Sequence, residues 1–534
     1  MPLRRFCSVF AVASLILFGP TLSAQTAVTT YHGDNYRTGW NSTETTLTPA
    51  NVNPSHFGML TTVTVDDQVD AQPLVVPNVN ITAGSFQGKH DVVYVVTGND
   101  TVYAIDANVG TVLLSNHLGT PVHLPLGCNN NGPNVGVTST PVIDVARNNL
   151  YLIAYVQETN GPAYQVHALD LGNLTDKLSP MIVSASHTLT DGTSYVFNAK
   201  VQRQRPALLE ANGNIYAGFG SFCDEAGSTS RGWLLGWEAA TLTPLATNQL
   251  LDVQATDVDR FYLSSIWMSG YGLAADDSGN VVFVTSNSDP SGTTYDGITN
   301  IQESVIEVSP DLTTVVDLFT PFNWSGLDQQ DLEFGSGGVM VLPDQPGSMP
   351  HLAVAAGKQG NMFFMNEDDL GGYSPTGNNV LATKYIGPCW CGESYFAYSG
   401  TGFVVSSGGS TIKLFEVVTS PSPALKPISS ASITTGQHDG FFTSVSSNKN
   451  ANYIIWALSR PISTAQPAIA LYAFAPDLQG KLNQIFIGIA GQWPNFTGNS
   501  NQVPTIANGK VYVASNKQLR IFGLLSAEPA GEKR

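Results

Sequence analysis

Five cysteines, nine histidines and a few glycine clusters are the residues whose type and spacing could declare a chemistry by themselves. Cys128, Cys223, Cys389 and Cys391 lie beyond the N-terminal leader and could pair in three ways in an oxidising compartment. Only one residue separates Cys389 from Cys391, so a bridge between them is expected to be strained. No C-x-x-C-H is present, which gives no support for covalent haem. The histidines are scattered without metal-ligand spacing and read as structural or surface groups. There is no G-x-S-x-G nucleophile elbow and no phosphate-binding P-loop. Gly270-Tyr271-Gly272-Leu273-Ala274-Ala275 fits the looser dinucleotide pattern. It runs into the turn Asp276-Asp277-Ser278-Gly279-Asn280, where no helix can follow to receive a phosphate. Any site must therefore be assembled from residues far apart in the chain.

The elements that would assemble it are strands. The chain has 534 residues, enough for two to four ordinary domains or one large closed all-β architecture. Its 51 Gly and 31 Pro sit among short Val/Ile/Thr/Tyr runs, which argues against helical bundles and for strands joined by turns. A unit recurs: a short apolar strand often opened by Pro, a second strand after a turn, and a third ending near an acidic residue. The first copy is Gln72-Pro73-Leu74-Val75-Val76, Val92-Val93-Tyr94-Val95-Val96 and Val102-Tyr103-Ala104-Ile105-Asp106. Others begin at Thr140-Pro141, Arg205-Pro206, Gly272-Leu273, Gly337-Gly338, Gly402-Phe403, Phe441-Phe442 and Val503-Pro504, mostly roughly 65 residues apart, with a shorter sixth copy. The pattern predicts an all-β, eight-bladed β-propeller; seven blades remain open if the sixth copy is not independent. The eighth copy has only three strands of its own. Leu60 to Val65, ahead of blade one, is expected to supply the missing outer strand and close the ring, removing exposed sheet edges.

Residues 1–24 read as a secretory leader, with Arg4 and Arg5, an apolar core from Phe6 to Phe18, and Leu22-Ser23-Ala24 before Gln25. The apolar stretch is too short to span a bilayer comfortably, and Cys7 lies too early for lipidation. Losing Arg4 and Arg5 takes the formal charge from −18 to −20. Such an acidic chain makes a broad nucleic-acid-binding surface unfavourable. The expected organisation is a leader (1–24), an approach segment (25–56), one propeller (57–525) and a polar tail (526–534). The expected location is secreted or periplasmic, not membrane-spanning.

At this point the chain resembles the quinoprotein dehydrogenases, eight-bladed propellers carrying pyrroloquinoline quinone (PQQ) and usually Ca²⁺ in a central funnel. The resemblance rests on Tyr31-His32-Gly33-Asp34-Asn35-Tyr36-Arg37-Thr38-Gly39, on Leu47-Thr48-Pro49-Ala50-Asn51-Val52, and on repeats such as Val102 to Gly110. It implies roles residue by residue. Asp70 stands where an acid touches the quinone, and Cys128 where an adjacent cysteine pair often lies over it, with Asn129 replacing the second cysteine. Trp267 resembles the indole under the quinone plane, and Lys358 a cation on its oxygens. Glu225 and Asn287 resemble the Ca²⁺ ligands, and Asp328 or Asp331 the catalytic aspartate. These types suit that chemistry: calcium prefers carboxylate and amide oxygens, a flat cofactor stacks on an indole, and an ionised aspartate can take an alcohol proton. The resemblance implies oxidation of an alcohol, polyol or sugar, with electrons passing to a separate acceptor. The repeat itself specifies only fold. The competing expectation is a non-catalytic envelope scaffold binding a protein or glycan, with a vestigial cofactor site.

Overall fold

A computed structural model describes residues 25–130, 132–222, 230–257, 262–291, 295–477 and 481–526. Residues 1–24 and 527–534 lie outside them. Eight sheets stand around a common hub, one for each repeat. Blade 1 comprises Leu74–Ile81, Gly88–Val96, Thr101–Asp106 and Val112–His117, paired antiparallel in chain order from hub to rim. Middle strands such as Val281–Val284 in blade 4 are buried along their whole length. That is why they read as unbroken β-branched and aromatic runs: both faces pack against neighbouring blades. Rim strands alternate instead, as in Ala382–Tyr385 of blade 5.

The ring closes as the sequence suggests. Phe57–Gln68 pairs antiparallel with Lys510–Leu524, from Phe57 opposite Leu524 to Gln68 opposite Asn516. The inner strand of that last blade is Thr505–Ala507. Around Phe57, the rings of Trp456, Phe486 and Phe522 tie the last two blades together.

Blade 6 requires a correction. It begins at Ser394–Tyr398, one strand before the Gly402 run, and continues through Thr401–Ser406, Thr411–Val418 and Ala424–Ser432. It has all four strands, which removes the seven-blade option. The described cysteines are paired. Cys389 and Cys391 do form a disulfide, with Cα atoms 4.8 Å apart, inside the range disulfides normally span. Cys128 is also disulfide-bonded.

The approach segment does more than lead into the first blade. Between Val28 and Asn41 it crosses one end of the hub and bonds to every blade in turn. Val28 pairs with Val75 of blade 1, and the Thr29 carbonyl accepts from Ile143 N of blade 2. Asn35 donates to the Glu210 carbonyl of blade 3 and accepts from Ala275 N of blade 4. The carbonyls of Tyr36, Thr38 and Gly39 accept from Val341, Tyr395 and Val445 of blades 5, 6 and 7. Asn41 donates to the Ile506 carbonyl of blade 8. Arg37 anchors this crossing. Its Nε donates to the Leu273 carbonyl (2.7 Å), its Nη2 to that of Leu208 (3.1 Å), and its Nη1 to Thr30 Oγ1, Tyr31 O and Asp34 O. Tyr271 lies beside it, its hydroxyl within 3.0 Å of the Arg37 and Glu393 carbonyls. A Cβ on Gly338 or Gly392 would sit 2.0 Å from that ring, so both glycines are needed for the approach.

No helix among the described residues is long and apolar enough to cross a membrane.

Candidate functional site

The segments that lead into each innermost strand, and those that leave each second strand, meet at the other mouth of the hub. Trp267 precedes the inner strand of blade 4. Its indole N–H donates to Ser286 Oγ (2.8 Å) and to Glu333 Oε2, which fixes the ring plane. Lys358 follows the second strand of blade 5, Leu352–Ala356. Its ammonium bridges Asp331 Oδ1 (2.8 Å) and Glu333 Oε1 (3.0 Å) and lies 5.9 Å from the Trp267 ring centroid. The two carboxylates hold the ammonium protonated and its pKa above the ordinary lysine value, against the lowering effect of burial. Asn287 leaves the second strand of blade 4 and donates to Asp331 Oδ1 at 3.4 Å. Trp267, Asn287, Glu333 and Lys358 border a polar cavity of about 150 Å³.

The two candidate aspartates separate cleanly. The short helix Trp324–Gln330 ends at Asp331, whose left-handed backbone (φ 55°) turns its carboxylate outward, where it is 61 % exposed. Asp328, within the helix, points the other way. Its Oδ1 accepts from Ser288 N (3.2 Å) and its Oδ2 from Gln302 Nε2 (2.8 Å). Burial, with a smaller push from Glu333, raises it to about 8. Both oxygens of Asp328 are thus engaged by the chain, whereas the Asp331 carboxylate is exposed beside Lys358.

Two further expectations fall at the edge of the site. Asp70 is half-buried, accepts from Gln68 Nε2 (2.9 Å), and is raised by burial, with Arg205 and Arg203 partly offsetting that. Cys128 lies with its Sγ 3.0 Å from the Phe222 carbonyl oxygen, beside Asn130, and both Phe222 and Asn130 line the cavity. Glu225 lies outside the described residues.

Sequence reasoning missed several groups. Glu333, two residues beyond Asp331, is buried and holds both Trp267 and Lys358. Trp390, carried between the bridged Cys389 and Cys391, stacks on His438 (4.9 Å) and lies 5.3 Å from the Lys358 ammonium. Arg203 and Arg205 of blade 3 also border the cavity, and Arg460 follows the second strand of blade 7. The guanidinium of Arg205 lies 5.5 Å from the Trp267 ring centroid. The alternation Arg203-Gln204-Arg205 was the available signal, since residues two apart in extended chain share a face. A somewhat larger cavity, about 210 Å³, lies against the approach segment and includes His32. Burial lowers that imidazole to about 3, so it stays uncharged there, and no cluster of charged groups faces it.

With this geometry in hand, three solved structures are informative. A quinohemoprotein alcohol dehydrogenase from Pseudomonas putida HK5 superposes with a TM-score of 0.60 at 13 % identity, covering 95 % of this chain and 82 % of its own. The quinohemoprotein alcohol dehydrogenase of Comamonas testosteroni gives 0.60 at 12 %, covering 96 % and 83 %. A europium-containing methanol dehydrogenase gives 0.59 at 11 %, covering 93 % and 98 %. The fold is the eight-bladed β-propeller that these structures share. No protein-family model matches the sequence, and no curated protein does so significantly. At these identities the likeness establishes architecture, and chemistry has to come from the mouth itself.

Proposed function

We propose that the protein is a quinone-dependent oxidoreductase that takes PQQ and Ca²⁺ at the mouth of the propeller and oxidises an alcohol, polyol or sugar. The observation carrying this reading is the constellation of Trp267, Lys358, Asp331, Glu333 and Asn287, drawn from separate segments into one wall. The residues suit the groups. A planar anionic quinone needs an aromatic face and cations, and Trp267 and Lys358 provide them. A hard cation needs amide and carboxylate oxygens, and Asn287 and Asp331 provide two, with Glu225 as the expected third. When bound, PQQ supplies the two-electron acceptor that the side chains lack.

The rest is the work of the chain. The Ser286 and Glu333 bonds hold the indole so that a flat ligand meets one orientation. Lys358 carries positive charge where a quinone oxygen would become negative, and it is pre-set by its two carboxylates. Asp331, exposed and paired with Lys358, would be the carboxylate that accepts the proton of a substrate hydroxyl. Electrons would leave to a separate acceptor, since no haem-attachment motif is present.

One observation favours the alternative reading, a non-catalytic scaffold for a protein or glycan. The Arg205 guanidinium already covers the indole, and the cavity beside it is small. A single titration separates the two. PQQ with Ca²⁺ added to the purified mature protein should raise its melting temperature and quench tryptophan emission. A hundred-fold excess over Kd corresponds to about 2.7 kcal/mol of added stability, and Asn287→Ala should remove the Ca²⁺-dependent part. No shift at 100-fold the micromolar range would overturn the oxidoreductase reading.

A further inference from the structure

We propose that Asp277, Asp344 and His351 bind one divalent cation of the zinc class at the end of the hub opposite the mouth, where it ties blade 4 to blade 5. The proposal is independent of the quinone reading above.

The three residues come from two hairpin loops. Asp277 lies in the turn between Ala274–Ala275 and Val281–Val284 of blade 4. Asp344 and His351 lie in the loop between Val339–Leu342 and Leu352–Ala356 of blade 5. Both loops stand at the end that the approach segment crosses, where Ala275 N and Val341 N donate to the carbonyls of Asn35 and Tyr36. One ligand atom from each of the three residues lies within 4.8 Å of the other two. Around a tetrahedral zinc ion with bonds of about 2.0–2.2 Å, ligand atoms stand roughly 3.3–3.6 Å apart, so these have to close by about an ångström. Asp277 and Asp344 are exposed and His351 is half-buried, so rotation of the side chains makes that movement without disturbing the sheets.

Acidic turns are common, because Asp favours turn backbone. The histidine is what turn chemistry does not explain. Its Nδ1 is 2.8 Å from Asp368 Oδ1, just beyond the third strand of blade 5, while its Nε2 faces Asp344 Oδ1 at 3.8 Å. A carboxylate on one ring nitrogen, with the other nitrogen turned toward further ligands, is how proteins orient metal-binding imidazoles. Asp277 is steadied too, since the Tyr36 hydroxyl donates to its Oδ1.

The surroundings call for positive charge. A cavity of about 460 Å³ runs beside the triad, bordered by Asp277, His351 and Asp368. Seven of the side chains around it are carboxylates, and none is a lysine or arginine. Two of those acids are drawn inward. Glu307 is 4 % exposed. Glu367, whose N–H donates to the His351 carbonyl (3.0 Å), has its Oε1 buried without a partner. Neither has a cation within ion-pair distance among the described residues. Buried carboxylates are costly unless positive charge is near, and a doubly charged ion on the triad supplies it. Imidazole with carboxylates suits zinc and its transition-metal neighbours, whereas calcium takes oxygen alone. With three protein ligands, a water takes the fourth position.

The test strips the mature chain of metal with a chelator and titrates it calorimetrically with Zn²⁺ and with Ca²⁺. Circular dichroism verifies that each variant is folded. One Zn²⁺ per chain should bind in the micromolar range or tighter and raise the melting temperature, with Ca²⁺ at least about tenfold weaker. His351→Ala and Asp344→Asn should each weaken Zn²⁺ by more than Asp368→Asn, which removes no ligand and should cost about tenfold through the orientation of the ring. Asp344 is exposed, so its variant decides alone should His351→Ala not fold. X-ray absorption of the zinc-loaded protein should show one imidazole among oxygen ligands. Zn²⁺ binding unchanged in the His351 and Asp344 variants, or Ca²⁺ bound more tightly than Zn²⁺ in the same place, would overturn the proposal. Zn²⁺ binding lost in Asn287→Ala would put the ion at the mouth and overturn it as well. Zinc binding intact in a protein that does not respond to PQQ would sink the quinone reading and leave this site standing.

Discussion

Arg37 and Arg460 are the same side chain, equally buried, at opposite ends of one hub, and they are treated in opposite ways. Around Arg37 the chain supplies oxygens to every guanidinium nitrogen, from the approach segment and from blades 3 and 4. Around Arg460 and Arg203 it supplies fewer and leaves buried donors without partners, and Arg203 and Arg205 border the cavity at the mouth. The first arrangement belongs to stability, because an internal network pairs a charge that burial would otherwise penalise. The second leaves donors unpaired, at a cost to stability. One end of the hub pairs its arginine from within, and the other does not.

That contrast can be broken by mutation. The largest effect is expected at Arg37→Met, which strands carbonyls of blades 3 and 4 and should cost about 3–5 kcal/mol in urea unfolding. A loss below about 1 kcal/mol would mean the network is ornamental. A middling effect is expected at Asp328, which lies near the mouth but resembles Arg37 in having its bonds met from within. Its carboxyl titrates near 3.8 when unfolded and about 8 when folded. Between those values the native state keeps a proton that the unfolded chain releases, so stability falls as pH rises from 4 to 8. The slope from this group is at most about 1.4 kcal/mol per pH unit. Asp328→Asn should flatten the stability profile over that window, and superimposable wild-type and variant profiles would contradict the assignment. The smallest effect is expected at Arg460→Gln without ligand: stability unchanged, or raised by up to about 1 kcal/mol, since an unpaired buried charge is removed. A clear loss in the same unfolding assay would class Arg460 with Arg37 and erase the distinction.

The strands were the most legible part of the sequence, because burial between two neighbouring blades imposes unbroken apolar runs such as Val281 to Val284. The closing strand was legible for a related reason: Leu60 to Val65 had no partner of its own, and the last blade lacked one strand. Blade 6 was misplaced because Ser394–Tyr398 mixes serine with aromatics directly after Cys391-Gly392-Glu393, while Gly402 to Val405 looks like a typical opener. At the mouth, Trp267, Asn287, Lys358 and Asp331 stand together within the stretch the resemblance indicated. Choosing between Asp328 and Asp331 needed the helix that turns one inward and the other out. The Arg203-Gln204-Arg205 alternation was visible, but nothing in a sequence reveals that a buried donor lacks an acceptor. Arg205-Pro206 read simply as the start of a strand.

The crossing of residues 28 to 41 carries a consequence for how this architecture can change. Each successive contact is matched to one sheet, in order, over fourteen positions of chain. Duplicating or deleting one repeat would put every later contact out of step with its partner. Tandem-repeat genes readily gain and lose units, and here a short polar tether that counts to eight would veto the result.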